Sequence, residues 1–235
     1  VLDEVLHRIA RACARAGRDP TDVALVAVTK GHAPDEIRRV LLERGQRVLG
    51  ENRIQEWRAK VDAVGPDVDW HLVGHLQTNK VRYCRPFALL HGVDSLRLAE
   101  ALDAEGAHRG HVFPILLQVN VSGEPQKHGV APAALPELVE RVAGLGHVRL
   151  EGLTTLAPYH PDPERARPVF RALRLLAERY AAGRTSMGMS GDFEVAVEEG
   201  ARWVRIGSAL FPPAAPSTHA PATERGAVIQ PEDQP

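Results

Sequence analysis

Short runs of β-branched and aliphatic residues recur about eight times along this chain, each followed by a stretch with helical spacing. That alternation restricts the fold more than any other feature. The runs fall at 23–29, 47–50, 69–73, 88–93, 112–121, 148–153, 185–187 and 203–206. Continuous apolar runs of this kind read as parallel strands buried on both faces. The spacing predicts helices from Pro34 to Arg44, closed by Gly45, and from an N-cap at Asn52 to about Val64. Further helices are expected from Ser95 to about Ala107, Pro132 to Val142, Glu164 to Tyr180 and Asp192 to Glu199, the last closed by Gly200. In the longest, Val169, Leu173, Leu176 and Tyr180 form one stripe. An extra amphipathic helix opens the chain, with Leu2, Val5, Leu6, Ile9 and Cys13 at helical intervals before Gly17 and Pro20. Eight strand–helix pairs without a long interruption fit a closed α/β barrel, the (β/α)8 or TIM architecture. An open sheet would need edge strands and a reversal point. One domain is expected over residues 1–212, with a Pro- and Ala-rich tail at 213–235 that has too few large apolar residues to order.

Charge excludes some functions. With 29 Lys and Arg against 30 Asp and Glu, the net charge of −1 makes no electrostatic case for nucleic acid, and Arg8, Arg11, Arg15 and Arg18 read as the wet side of the first helix. No apolar stretch approaches the roughly 20 residues that span a bilayer, and Asp3, Glu4, Arg8 and Arg11 charge the N-terminal stretch. Cys13 and Cys84 have neither a paired nor a metal-like spacing, which favours a reducing, cytoplasmic setting. No exposed apolar heptad calls for assembly, so a monomer is expected.

In a barrel of this kind, residues at the carboxyl ends of the strands meet at one rim, where the chemistry of such folds resides. Lys30 stands where strand one stops. Desolvation disfavours the ammonium form of an amine, and a neutral amine attacks an aldehyde to form a Schiff base. A lysine that merely carries its charge into water is the alternative. The same rim gathers Gly50-Glu51-Asn52, His71, Gly74-His75, Asn120, Thr154, the block Ser186 to Gly191, and Arg205-Ile206-Gly207-Ser208. Ser190-Gly191 and Gly207-Ser208 follow strands seven and eight, the usual phosphate position of this architecture, although Ser190 and Asp192 would equally serve as helix caps. Because strand eight closes on strand one, the amine and the anion cradle are neighbours. Their separation suits a ring with an aldehyde and a phosphate arm, of which pyridoxal 5′-phosphate is an example.

Five segments carry a specific resemblance: Val28-Thr29-Lys30; Gly50 to Glu56; Trp70 to Lys80, which contains His-Leu-Val-Gly-His-Leu-Gln-Thr-Asn-Lys; Ser186 to Asp192; and Arg205 to Phe211. Over residues 1–212 the chain resembles the pyridoxal-phosphate homeostasis proteins, a fold-type III barrel related to the alanine racemase N-terminal domain but without its C-terminal β domain. The resemblance implies that Lys30 carries the cofactor as a Schiff base and that Ser190, Gly191, Gly207 and Ser208 hold the phosphate. It further implies that Arg205 faces the ring nitrogen and that Asn52, His71 and Met187 line the ring. Lys127-His128-Gly129 matches the family's Lys-x-Gly element, a second lysine proposed to act in transfer to apo-enzymes that need the cofactor. Thr154 departs from the methionine of many members.

An arginine facing the ring would leave the nitrogen an unprotonated acceptor and the ring a weak electron sink, which disfavours carbanion chemistry. Pairing of Arg205 with Glu151 or Glu194 is the competing arrangement. The resemblance extends to alanine racemases, which share this arginine but add a C-terminal β domain that supplies a tyrosine base. Without that base a carrier without committed catalysis is expected, with a weak amino-acid racemase as the alternative and Tyr159 as the nearest substitute for the base. His71 and His75 lack the context of a helical zinc motif, so no metal site is expected.

Overall fold

The computed structural model describes residues 1–211, and the expected tail at 213–235 lies outside the described residues. The chain enters through α1 (Leu2–Arg15) and then builds eight parallel strands. These are β1 (Ala24–Val28), β2 (Val48–Glu51), β3 (Asp69–Leu72), β4 (Leu89–Val93), β5 (Phe113–Gln118), β6 (Val148–Thr154), β7 (Thr185–Ser186) and β8 (Trp203–Ile206). They pair in sequence order and close, with Val26 of β1 opposite Arg205 of β8. The fold is the (β/α)8 barrel that the alternation predicts.

The connecting helices are α2 (Pro34–Val40), α3 (Ile54–Arg58), α4 (Val61–Val64), α5 (Leu96–Arg109), α6 (Leu135–Ala143), α7 (Arg167–Tyr180) and α8 (Phe193–Glu198). A 3₁₀ segment, Thr78–Tyr83, makes the crossover from β3 to β4. The extra helix α1 packs on α8, burying Leu2, Val5, Ile9, Ala12 and Cys13 while Leu6 stays exposed. Arg8 bonds Glu194 at 2.8 Å and Arg15 bonds Glu198 at 2.6 Å across that contact. In α7 the buried stripe centres on Phe170, Leu173 and Ala177, and the expected Val169, Leu176 and Tyr180 flank it half-buried.

One predicted helix breaks in two. Lys60 leaves helical geometry at φ −128°, ψ −16°. Its ammonium turns inward to Glu51 Oε1 at 2.7 Å and to the Thr29 carbonyl at 2.9 Å. Both side chains of that ion pair are buried, so the chain gives up helix continuity to keep the Glu51 carboxylate partnered. Asn52 is not the N-cap: Arg53 occupies that position, with no side-chain cap bond.

The strand period of two divides the interior. Leu25, Ala27, Leu49, Trp70, Leu72, Leu90, Ile115, Leu117, Leu153, Val204 and Ile206 face outward and join the helices in one apolar shell. The alternate positions face the barrel lumen, which holds His71, His91, Thr154, Ser186 and Arg205.

Candidate functional site

At the carboxyl end of the barrel lies a cavity of about 610 Å³, a size usual for small-molecule sites. Val28 is the last lumen-facing residue of β1. Thr29 points the other way, donating its hydroxyl hydrogen to Glu51 Oε1 at 2.6 Å, so the next residue, Lys30, returns to the cavity wall. Lys30 is exposed and not held among apolar neighbours as the sequence implied, because the wall it joins opens to solvent. Glu51 belongs to the shell with Lys60, not to the rim, since it follows lumen-facing Gly50 by one residue. Asn52 does reach the wall. Gly74 permits this, for a Cβ there would lie 2.2 Å from the Asn52 carbonyl oxygen.

The far wall is made by the loops after β7 and β8. Ser190 Oγ accepts hydrogen bonds from the backbone N–H groups of Gly207 at 3.3 Å and Ala209 at 3.2 Å, tying the two loops together. The amides of Ser190, Gly191 and Ser208 find no acceptor among the described residues. A Cβ at Gly191 would meet nothing within 4 Å, so that amide borders open space. Asp192 stands at the N-terminus of α8 but makes no bond into the helix; its Oδ1 accepts from the Met189 amide at 2.6 Å. Burial raises the Asp192 carboxyl above its ordinary range, offset in part by that bond and by Arg205. The turn between them depends on Gly188, whose φ of +89° and a Cβ position 2.5 Å from Ala196 Cβ leave no room for a side chain. Ala209 to Phe211 forms a turn and not a helix, with the Leu210 and Phe211 amides both donating to the Gly207 carbonyl.

Beneath the cavity lies a chain of buried polar groups that the sequence did not reveal. Arg205 Nη1 donates to Thr154 Oγ1 at 3.0 Å and Ser186 Oγ at 2.6 Å, and Nη2 donates to the Thr155 carbonyl at 2.9 Å. Ser186 Oγ lies 3.0 Å from His91 Nδ1, and His91 Nε2 lies 3.0 Å from His71 Nδ1. An arginine only donates, so the Ser186 hydroxyl accepts from it. The direction of the two histidine bonds follows the tautomers: with the Ser186 hydroxyl donating to His91 Nδ1, His91 donates from Nε2 to His71 Nδ1, and the opposite tautomers reverse both bonds. Burial holds both imidazoles neutral, lowering His71 to about 4 and His91 well below its usual value, with His71 and Arg205 adding to the effect at His91. Burial also lowers Arg205, to about 10, which still leaves it charged near neutral pH. Glu151 pairs with Arg149 and Arg184, and Glu194 with Arg8, so neither is the partner of Arg205.

Of the residues expected at the site, Lys30, Asn52, Ser190, Gly191, Arg205, Gly207 and Ser208 border this cavity. His71 is in the lumen network below it. Met187 is fully buried in the apolar shell, because it follows lumen-facing Ser186 by one residue. Asn120 shapes its own loop, its side-chain amide donating to the carbonyls of Glu124 and Lys127. Lys127 pairs with Glu124 and donates to the Leu156 carbonyl at 3.2 Å, adjoining the wall through Leu156 and His128. The one signal for His91 was a histidine inside an otherwise apolar strand, Leu89 to Val93.

A family model, alanine racemase N-terminal domain, matches residues 1–214. The pyridoxal phosphate homeostasis protein of Aquifex aeolicus is 43% identical over 218 residues, which cover 89% of this chain and 95% of that protein. That of Deinococcus radiodurans is 44% identical over 207 residues, covering 88% and 97%. Among solved structures, PipY of Synechococcus elongatus with PLP bound has a TM-score of 0.75 at 37% identity, covering 86% of this chain and 99% of its own.

Proposed function

This chain belongs to the alanine racemase N-terminal domain family, among the pyridoxal phosphate homeostasis proteins, and we propose that it binds pyridoxal 5′-phosphate at the barrel mouth and keeps it sequestered without committed catalysis. The donor set supports the fit. A primary amine, unclaimed amides at Ser190, Gly191 and Ser208, and a buried guanidinium with no carboxylate partner among the described residues border one cavity. That convergence is the observation that carries the reading. When bound, the cofactor supplies an aldehyde for a primary amine, a phosphate and a ring nitrogen.

Lys30 provides the amine. The loops of Ser190-Gly191 and Gly207-Ser208 offer N–H and hydroxyl donors to the phosphate, and Asn52 borders the ring. Arg205 is oriented by Thr154, Ser186 and Thr155, and through Ser186 by the two histidines, so it presents a fixed donor to the ring nitrogen. A donor there would leave the nitrogen unprotonated and the ring a weaker electron sink than a carboxylate partner would. Tyr159, the tyrosine on the cavity wall, is 90% exposed, while Tyr83 and Tyr180 lie under the guanidiniums of Arg82 and Arg179. A positioned second base of the racemase kind therefore has no support. In this reading apo-enzymes that require the cofactor are its recipients, and Lys127 is the second lysine of that transfer.

Among the described residues no helix is long and apolar enough to cross a membrane, and both cysteines are free and buried. A monomer in a reducing cytoplasm is the setting we propose.

The test is to load purified protein with pyridoxal 5′-phosphate, reduce it with borohydride and map the adduct by mass spectrometry. A visible absorbance band and a label on Lys30 are expected; no label, or one on another lysine, would refute the assignment. Solvent deuterium should enter the α-carbon of alanine no faster than with free cofactor, and faster exchange would establish the racemase reading instead.

A further inference from the structure

On the β3–β5 side of the cavity, His75, Asp94 and His128 come together from three loops. His75 lies three residues beyond β3, Asp94 directly follows β4, and His128 is in the loop after β5. His75 Nδ1 is 3.2 Å from Asp94 Oδ2, and His128 Nδ1 is 3.7 Å from the same oxygen. The two imidazoles stack face to face, with centroids 4.0 Å apart and planes 14° from parallel. One ligand atom from each of the three residues lies within 4.8 Å of the others.

We propose that His75, Asp94 and His128 form a binding site for a divalent ion of the zinc class, placed across the cavity from the anion cradle. Two imidazoles and one carboxylate are the donor set that zinc takes when one coordination position stays open. A tetrahedral ion with bonds of about 2.0–2.1 Å separates its ligand atoms by roughly 3.3 Å. The two His–Asp distances lie near that value; because the stacked, nearly parallel rings cannot both direct an in-plane lone pair at one ion, the exposed His128 ring has to swing out of the stack to complete the set. The Asp94 carboxylate is mostly shielded from water, with 14% of its side chain exposed, so both rings gather around one semi-buried anion. His75 and His128 also border the cavity, so the open position would face it and take a water or an oxygen ligand of a molecule held there.

The sequence conceals this site. His75 is 19 residues from Asp94 and 53 from His128 in the chain, and only consecutive strands of the barrel make them neighbours.

The site is independent of the cofactor reading, and its test needs no cofactor. Chelator-stripped full-length protein is titrated with Zn²⁺ against a chromophoric chelator, and in parallel with Co²⁺ to record its ligand-field spectrum. One ion per chain is expected, with a Co²⁺ band intensity typical of four-coordination. His128→Gln and Asp94→Asn should each weaken Zn²⁺ by more than about tenfold, as loss of a direct ligand requires. His128→Gln changes only an exposed loop side chain and so keeps the comparison open should Asp94→Asn fail to fold. No stoichiometric uptake, or uptake unchanged in His128→Gln, would overturn the proposal.

Discussion

The two faces of the same eight strands are chemically unlike. Outward, toward the helices, Leu25, Leu49, Leu72, Ile115, Leu153 and Ile206 build a shell with the apolar faces of α1 to α8. Inward, where barrels of this class usually stack branched aliphatic side chains, His71, His91, Thr154, Ser186 and Arg205 form a connected polar column. The shell stabilises the molecule, since each large side chain buried there contributes about 1.5–3 kcal/mol. The lumen also buries Val26, Leu89 and Leu116, but its polar column costs stability, because those groups are removed from water and must satisfy one another. Connected polar groups are thus concentrated on the side of the sheet that leads to the cavity. The shell side carries the buried Glu51–Lys60 pair at 2.7 Å and isolated buried atoms without a partner among the described residues, Glu51 Oε2, Trp57 Nε1 and Trp70 Nε1.

The largest effect should come from the shell. Phe170→Ala, at a position 1% exposed, is expected to cost about 3–5 kcal/mol in urea unfolding, and equally at pH 5 and pH 8 because no titratable group is involved. A pH-dependent loss would break the contrast between the two faces.

The lumen should show the opposite signature. His71 is lowered to about 4 in the folded protein from its ordinary 6.5, so the unfolded chain binds the extra proton between those values. Stability from this neutral histidine is complete above pH 6.5 and is lost as pH falls toward 4, by about 3 kcal/mol in total. His91 acts in the same direction. In His71→Gln the slope of unfolding free energy against pH over that window should flatten, and an unchanged slope would remove His71 from the account.

A smaller effect is expected from His91→Leu, which leaves the Ser186 hydroxyl and His71 Nδ1 each without a hydrogen-bond partner. A loss of about 1–3 kcal/mol in denaturant titrations would sharpen the comparison. No loss would show that the column does not act as a connected unit.

Much of the barrel was legible because hydrophobic runs and turn residues are local signals. Although the helix expected from Pro34 to Arg44 stops at Val40 and Gly45 closes only the 3₁₀ turn Leu42–Arg44, the strand Trp203–Ile206, the helix end before Gly200 and the position of Lys30 after strand one follow from short-range pattern. The break at Lys60 did not, since it answers a charge nine residues back that only folding brings near. Nor did the placement of Met187, expected beside the ring and found in the shell.

By itself the amino-acid sequence determined the order and number of strands, the lysine at the end of the first, and the serine–glycine loops at the end of the last two. Only the closed sheet decided which side chains see the lumen. A strand buried on both faces carries no apolar–polar alternation to mark its phase, and a shift of one residue exchanges lumen for shell. Closure also set side by side groups far apart in the chain: Arg205 with Thr154, Ser186 with His91, and His75 with Asp94 and His128.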